Sequence, residues 1–568
     1  MSTSGTGSAS ACGVAEEAGA EAAERVEGPR ASVAVATRPA PGAAAGPGGS
    51  GPPKPPPPPL SPEPRVRRPS TGWGLPLAVL IIGMFMSILD TSIVNVAIPV
   101  IQKQFGVSTE SIQWISTSYS LTEGVVVPAS AWLGARFGLK RIYIASLILF
   151  TAASALCGLS GDLSSMIVFR ILQAIPGGLI PVTCMTLLYR MVPRDRIGVA
   201  MGLYGLGAIV APGVGPTLGG YLVEYVNWRL IFYINVPIGI VGALAAVAVL
   251  AKIPGEQGKP FDLIGFGCIA GSLFSFLLAL EEGSSWGWTG YRILILFAVA
   301  INLMALFVVV ELQVKHPLLN VRIFTYWPFV NSLLLISAMS VGLFAELFYI
   351  PLFLQNAQGL TPWHTGLVLL PQALIMMVLM PIAGMLYDKV GSRWPAIVGL
   401  LLAGTGLLLL SRINVDISRG ELIVGMVVMA AGLGLGMMPI MTGGLSALPN
   451  EVSDSGSAFN TLAQRVSSSF GLALLSAYVT YDRAQLMADR SALLQGSGAD
   501  ADPRIIAMQA QGQSGLIPLW QQLSLQVQAQ AYSNAFLLAG YVTLVGMVLA
   551  LLLRSGPRRM GQDQPIAH

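Results

Sequence analysis

The chain has 568 residues, of which 54% are hydrophobic and only 11% charged, and its formal net charge is +4. An ordinary soluble domain carries about 25% charged residues, so a water-solvated globular enzyme is excluded and the body of the chain belongs in a bilayer. Its basic residues are few and dispersed, which excludes a nucleic-acid-binding surface.

Residues 1–72 are rich in Ala, Gly and Pro, with Pro55 to Pro59 consecutive. They lack the periodic apolar residues that could bury a core and read as a disordered cytoplasmic tail. A charged start leading into a short apolar core is missing, so the tail is not a signal peptide. From Trp73 onward about fourteen apolar runs recur, near 74–99, 111–133, 141–160, 163–188, 198–222, 229–251, 261–281, 291–311, 328–354, 363–387, 394–412, 421–446, 456–481 and 532–554. Each approaches the roughly 20 residues that cross a hydrocarbon core. The expected fold class is an all-α integral membrane protein with 14 transmembrane helices.

Charge sets the expected orientation. Arg65, Arg67 and Arg68 precede the first run; Arg136, Lys140 and Arg141 follow the second; Arg190, Arg194 and Arg196 follow the fourth; Lys389 and Arg393 follow the tenth; Arg554, Arg558 and Arg559 close the chain. Basic residues stay on the cytoplasmic side, which puts both termini inside. The polar connection 482–531 is then an outer loop with room for an amphipathic hairpin or helix, and 556–568 a short cytoplasmic tail.

An internal repeat divides the body. The segment Ala131 to Arg141 aligns with Gly384 to Trp394, pairing Leu133 with Leu386, Arg136 with Lys389 and Gly138 with Gly391. Both follow the second span of a six-span set, so the expected domains are a six-helix bundle at 73–251, an inserted two-helix linker at 252–327 and a second six-helix bundle at 328–555. Repeats of this kind build many secondary transporters.

The chemistry available is narrow. Cys12, Cys157, Cys184 and Cys268 have no paired spacing, and His316, His364 and His568 form no ligand cluster, so neither a disulfide frame nor a metal site is expected. No phosphate-binding glycine loop occurs, and no cofactor is called for. What remains are charges inside apolar spans, which are costly and mark ion or substrate pathways.

Asp90 in the first span is the sharpest of these. Burial favours its neutral form and a nearby cation its charged form, so movement between two such environments makes a proton-binding cycle. The alternative is a fixed hydrogen bond to Thr91 or Asn95. Arg170, Gln173, Gly177 and Pro181 share one face of the fourth span, and Arg170 lies at a depth matching Asp90. Arg170 either tunes the protonation of Asp90 or forms a static ion pair with it. Glu123 and Glu346 are further intramembrane carboxylates, able to take a proton or a cationic drug, or else turned to water or lipid. Glu346 lies between Phe344 and Phe348, next to Tyr349, in an expected cavity wall. Arg465, with Asn460 and Gln464, reads as structural at the cytoplasmic end of the thirteenth span, and Asp262, Glu281 and Glu282 as solvated span ends. In the fifth span Gly207, Ala211, Gly215 and Gly219 fall four apart beside Pro212 and Pro216, a small-residue face suited to close helix approach and bending.

The string Ala211 to Gly220 resembles the antiporter motif of the major facilitator superfamily. Leu89 to Pro99 is similar to the first-span motif of its fourteen-span drug:proton antiporters, Trp228 to Pro237 to the start of their sixth span, and Arg170 to Ala174 to their Arg-x-x-Gln-Gly string with Ala174 in place of glycine. The resemblance covers about 73–556. It implies two six-helix bundles plus two extra central helices, and proton-coupled multidrug efflux by alternating access, without enzymatic activity. It further implies lipophilic, often cationic, substrates and a place in the bacterial cytoplasmic membrane, with protons, drug-like small molecules and the lipid bilayer as partners. From their place inside the spans, proton coupling is expected at Asp90, Arg170 and Glu346 and substrate contact at Glu123, Glu346, Phe344 and Phe348, with gating at Arg136, Gly138, Asp388, Gly391, Gly207, Pro212, Gly215, Pro216, Gly219 and Gly220. One departure is plain: the family's glycine and aspartate after the second span are Ala131 and Ala135 here, so only Asp388, in the second half, can supply the charged latch. Export of a lipid, siderophore or self-made antibiotic is the alternative cargo. A membrane receptor that recruits partners through the Pro-rich tail is the reading from another class.

Overall fold

The computed structural model describes residues 72–193, 196–251, 260–315, 317–449, 452–494 and 513–553. The expected tails, and the centre of the 482–531 connection, lie outside the described residues.

Sixteen α-helices are found among the described residues: α1 (Gly74–Phe105), α2 (Thr109–Val126), α3 (Ala129–Phe137), α4 (Leu139–Leu159), α5 (Leu163–Met191), α6 (Ile197–Tyr225), α7 (Leu230–Tyr233), α8 (Asn235–Val249), α9 (Leu263–Trp286), α10 (Tyr291–Gln313), α11 (Trp327–Asn356), α12 (Pro362–Val390), α13 (Arg393–Leu410), α14 (Arg419–Ser446), α15 (Ser453–Leu494) and α16 (Gln513–Ala550). Local signals set their ends. Ser108, Asp162, Asp262, Thr361 and Ser418 each accept a backbone N–H of the first turn of α2, α5, α9, α12 and α14. The Ser165 N–H donated to Asp162 holds that carboxyl below its ordinary value. Lys140 donates to Val247 O and Leu250 O, neutralising the carbonyl end of α8.

Twelve helical segments are long and apolar enough to cross a membrane, with α7 and α8 running as one. The other two expected spans are α2–α3, broken at Val127 and Pro128, and α15. Both are too polar to qualify by composition because they turn polar groups inward: Ser118 and Glu123 on α2, Ser457 and Asn460 on α15 are buried. A bilayer accepts such helices when neighbours cover their polar side. Lipid-facing surfaces show the reverse, and α10 exposes Leu294, Ile301 and Val309.

The 482–531 connection, expected as an outer loop with room for an amphipathic hairpin or helix, is helical at both of its described ends. Helix α15 runs on to Leu494 and α16 begins at Gln513. At 42 residues, α15 is about 60 Å long, roughly twice the hydrocarbon thickness. Its polar end therefore continues as helix beyond the membrane, and Asn534 of α16 donates to Asp482 of α15 near the crossing point.

Helices α1 to α8 pack as one bundle and α11 to α16 as another. The inserted pair α9 and α10 pack on each other, and α9 also touches α2 and α15, so it bridges the bundles. The longest inter-bundle contact is α6 on α12. There Gly198 and Gly384 abut backbone to backbone, and a Cβ on either would collide with the other's carbonyl oxygen. The opposite side of α6 carries the four-residue string. A Cβ at Gly207 would lie 2.7 Å from Ile81 and one at Gly219 2.8 Å from Ile93, both on α1, and Gly215 abuts Ser92. Ala211 O accepts from Ser92 Oγ at 3.4 Å. Two small-residue faces thus let α6 lie between α1 and α12. Pro212 and Pro216 are half-buried beside the first of these faces, and Gly220 is buried.

The repeated glycines have one conformational reason. Gly138 ends α3 at φ 87° and Gly391 ends α12 at φ 81°, a region that favours glycine, and each donates its N–H to a carbonyl four residues back. Arg136 is exposed in the last turn of α3. Together with Arg190, Lys389 and Arg393 it marks a basic end of the molecule.

Candidate functional site

Asp90 sits at the centre of the first bundle, fully buried. Its Oδ2 accepts Arg170 Nη1 at 2.5 Å, and its Oδ1 accepts Gln173 Nε2 at 2.8 Å and Asn235 Nδ2 at 2.7 Å. Three donors from α5 and α8 thus converge on one carboxylate of α1. The alternative partners are occupied elsewhere: Thr91 donates to Ser87 O and Asn95 accepts from Ser116.

The surroundings fix every donor. Arg170, 1% exposed, also donates to Gln173 Oε1 at 2.9 Å and Ile115 O at 3.5 Å, and its guanidinium lies over the Tyr119 ring at 3.9 Å. A planar guanidinium binds a carboxylate at its edge and an aromatic face at once, which an ammonium cannot do. Asn235 also donates to Ser154 Oγ, which donates to Phe232 O. Asp162 and Ser165 form a reciprocal capping box that fixes the start of α5, about two turns before Arg170. This arrangement holds a buried carboxylate and a buried guanidinium in direct contact, so removing either leaves the other's charge uncompensated.

Glu123, 1% exposed on α2, makes an ion pair with Arg465 of α15. Arg465, expected at the cytoplasmic end of its span, lies instead within α15, which begins at Ser453, and reaches into the first bundle.

Glu346 is 2% exposed on α11, and its Oε1 has no hydrogen-bond partner among the described residues. The shared wall with Phe344 and Phe348 does not form. Those residues stand two positions to either side of Glu346, about 200° around the helix. They are 38% and 43% exposed, whereas Glu346 and Tyr349 face the bundle core. Tyr349 there packs in a tilted pair with Tyr532 and edge-to-face with Phe536, both of α16. Two-residue spacing suits a strand wall, not a helix, and sequence adjacency misled on this point.

Asp388, near the end of α12, accepts the N–H groups of Gly198 at 2.9 Å and Val199 at 3.2 Å, so a carboxylate of the second bundle caps the first turn of α6 in the first. Arg190 of α5 pairs with Asp454 of α15 at 2.6 Å, and Tyr189 donates to Thr442 O of α14 at 3.4 Å. The two bundles are tied together at the basic end.

Reasoning from sequence missed Asn235 and Tyr119. Asn235 had a signal, an amide within the apolar run of α7–α8; Tyr119 had none, because an aromatic in a span is most often packing.

Residues 80–472 match the Major Facilitator Superfamily. An uncharacterized MFS-type transporter, YhcA of Bacillus subtilis (strain 168), is 31% identical over 498 residues, covering 84% of this chain and 92% of the relative. The multidrug transporter protein MdtP of the same organism is 32% identical, covering 72% and 76%. The tetracenomycin C resistance and export protein of Streptomyces glaucescens is 31% identical, covering 71% and 75%. The solved structure of the proton:xylose symporter XylE, with 6-bromo-6-deoxy-D-glucose bound, superposes with a TM-score of 0.52 at 13% identity over 84% of this chain and 98% of that one, a likeness of fold. With its two helix bundles and its match over most of the membrane region, the chain belongs to the Major Facilitator Superfamily of membrane transporters.

Proposed function

We propose that this transporter is a proton-coupled exporter of lipophilic, often cationic, small molecules working by alternating access in a bacterial cytoplasmic membrane, with its basic end and both termini inside. The observation that carries this reading is the buried Asp90 carboxylate held by Arg170, Gln173 and Asn235. A proton arriving from outside neutralises Asp90 and frees Arg170; its departure inward restores the pair. One charge crossing 100 mV supplies about 2.3 kcal/mol, enough to bias a distribution more than about tenfold. Glu346, buried in the second bundle without a cationic partner among the described residues, suits a second proton site. Relatives named for multidrug transport and for tetracenomycin C export support drug-like or antibiotic cargo.

In cells lacking their own exporters, expression should lower accumulation of tetraphenylphosphonium, and a protonophore should abolish that difference. Accumulation that expression leaves unaltered across lipophilic cations and tetracenomycin-like polyketides would overturn the reading.

Asp388 acts in this scheme as the latch at the inner end. Asp388→Ala removes both acceptors from α6, a loss of about 0.5–2 kcal/mol for a cap. A cysteine at position 199, where the native valine already carries a Cβ, should therefore react faster on that background with a membrane-impermeant maleimide supplied from the basic side. Equal rates with Asp388 intact or removed would show that the latch does not hold the end closed.

A further inference from the structure

The Glu123–Arg465 pair takes no part in the proton cycle above, yet it joins the two bundles within the membrane. Arg465 is 31% exposed and Glu123 only 1%, so the pair has one side open and one sealed. The sealed side rests on α5. A Cβ at Gly178 would lie 2.7 Å from Glu123 O, and one at Gly177 would lie 2.6 Å from Tyr119 Oη, so this glycine pair seats one turn of α2. Tyr119 and Glu123 are four residues apart and lie one above the other on a single helix face. Tyr119 carries the Arg170 guanidinium on its ring, and Glu123 carries Arg465. A series therefore runs from Asp90 through Arg170 to Tyr119, and one helical turn further along α2 from Glu123 to Arg465 of the other bundle. The charged groups close enough to act on Glu123 are Arg465, Arg170 and Asp90, with Tyr119 on its own helix.

We propose that Tyr119 is a positioning residue that couples the Asp90 site to the Glu123–Arg465 pair, and that this pair is an ionic latch between the bundles. The step needs only a proton. When Asp90 is ionised, it holds Arg170, and Glu123 is left to Arg465. When Asp90 takes a proton, Arg170 loses its countercharge, and the next carboxylate along the α2 face is Glu123. Two guanidiniums then compete for one carboxylate, Arg465 is loosened, and the α2–α15 side of the interface is released. The Tyr119 ring separates the two guanidiniums in the first state and guides Arg170 in the second. Its hydroxyl makes no hydrogen bond among the described residues, so the ring face is the part that matters.

This rests on the reading of Asp90 as the proton site, and the test separates the two. Full-length wild type, Asp90→Asn, Tyr119→Phe, Tyr119→Leu, Arg465→Gln and the exchange Glu123→Arg with Arg465→Glu are reconstituted in liposomes of phosphatidylethanolamine and phosphatidylglycerol. Proton leak and tetraphenylphosphonium efflux are followed from pH 5.5 to 8.5. Tyr119→Phe should match wild type. Tyr119→Leu and Arg465→Gln should raise substrate-independent proton leak by at least about fivefold and displace the pH profile of efflux, as coupled sites require. The exchanged pair should keep wild-type thermal stability, which excludes simple misfolding, yet stay as leaky as Arg465→Gln, because it offers Arg170 no carboxylate at position 123. Wild-type leak and pH profile in folded Tyr119→Leu, or equal damage in Tyr119→Phe and Tyr119→Leu, would overturn the coupling role of Tyr119 while leaving Asp90 standing. No difference between Asp90→Asn and wild type would overturn the proton site itself, and this inference with it.

Discussion

Asp90→Asn is expected to abolish gradient-driven export, by about a hundredfold or more, in a protein that still folds. The carboxylate is buried and is the countercharge of a guanidinium that is itself 1% exposed. Removing one partner of such a pair costs about 3–5 kcal/mol, equivalent to roughly two to three and a half orders of magnitude in an equilibrium. The amide keeps the shape and one acceptor oxygen for Gln173 or Asn235, and Arg170 keeps Gln173 Oε1 and the Tyr119 face, so the bundle has enough contacts to survive. The signature is a split. Uptake driven by an imposed pH gradient disappears, while exchange of labelled for unlabelled tetraphenylphosphonium, which needs no net proton movement, persists. A variant that pumps at the wild-type rate would remove Asp90 from the cycle.

The second large effect is steric. In Gly384→Val three carbon atoms enter a place where the first would already collide with the Gly198 carbonyl. Overpacking costs about 1–3 kcal/mol when side chains can yield; here the obstacle is backbone, and the α6–α12 contact must separate along its length. Export should fall more than about tenfold and thermal stability should drop with it. Gly267→Ala on α9 is the control, because a Cβ there meets nothing within 4 Å, and it should behave as wild type. Equal behaviour of the two variants would mean that α6 and α12 need not touch for transport.

Much of the architecture is legible in the chain because membrane helices must satisfy their backbone internally, so each reads as a run of apolar residues. The repeat Arg136–Gly138 against Lys389–Gly391 marks two equivalent helix ends, and both glycines take the same positive φ. The legible part ends where composition stops describing environment. The end of α15 is polar and still helical, because a helix leaving the bilayer needs no apolar residues to continue. Glu346 and Phe344 are near in sequence and opposed in space because a helix turns 100° per residue. Depth counting could align Asp90 with Arg170, but no count along one helix places Asn235 or Arg465, since each is brought in by tertiary packing of another segment.

Substrate-induced proton movement tests the central claim most directly. Purified protein in liposomes with an imposed pH gradient is given tetraphenylphosphonium, and internal pH is followed with a trapped dye. The proposed mechanism requires the gradient to collapse faster with substrate in wild type and not in Asp90→Asn. Substrate moving at full rate while the gradient stays intact would contradict it.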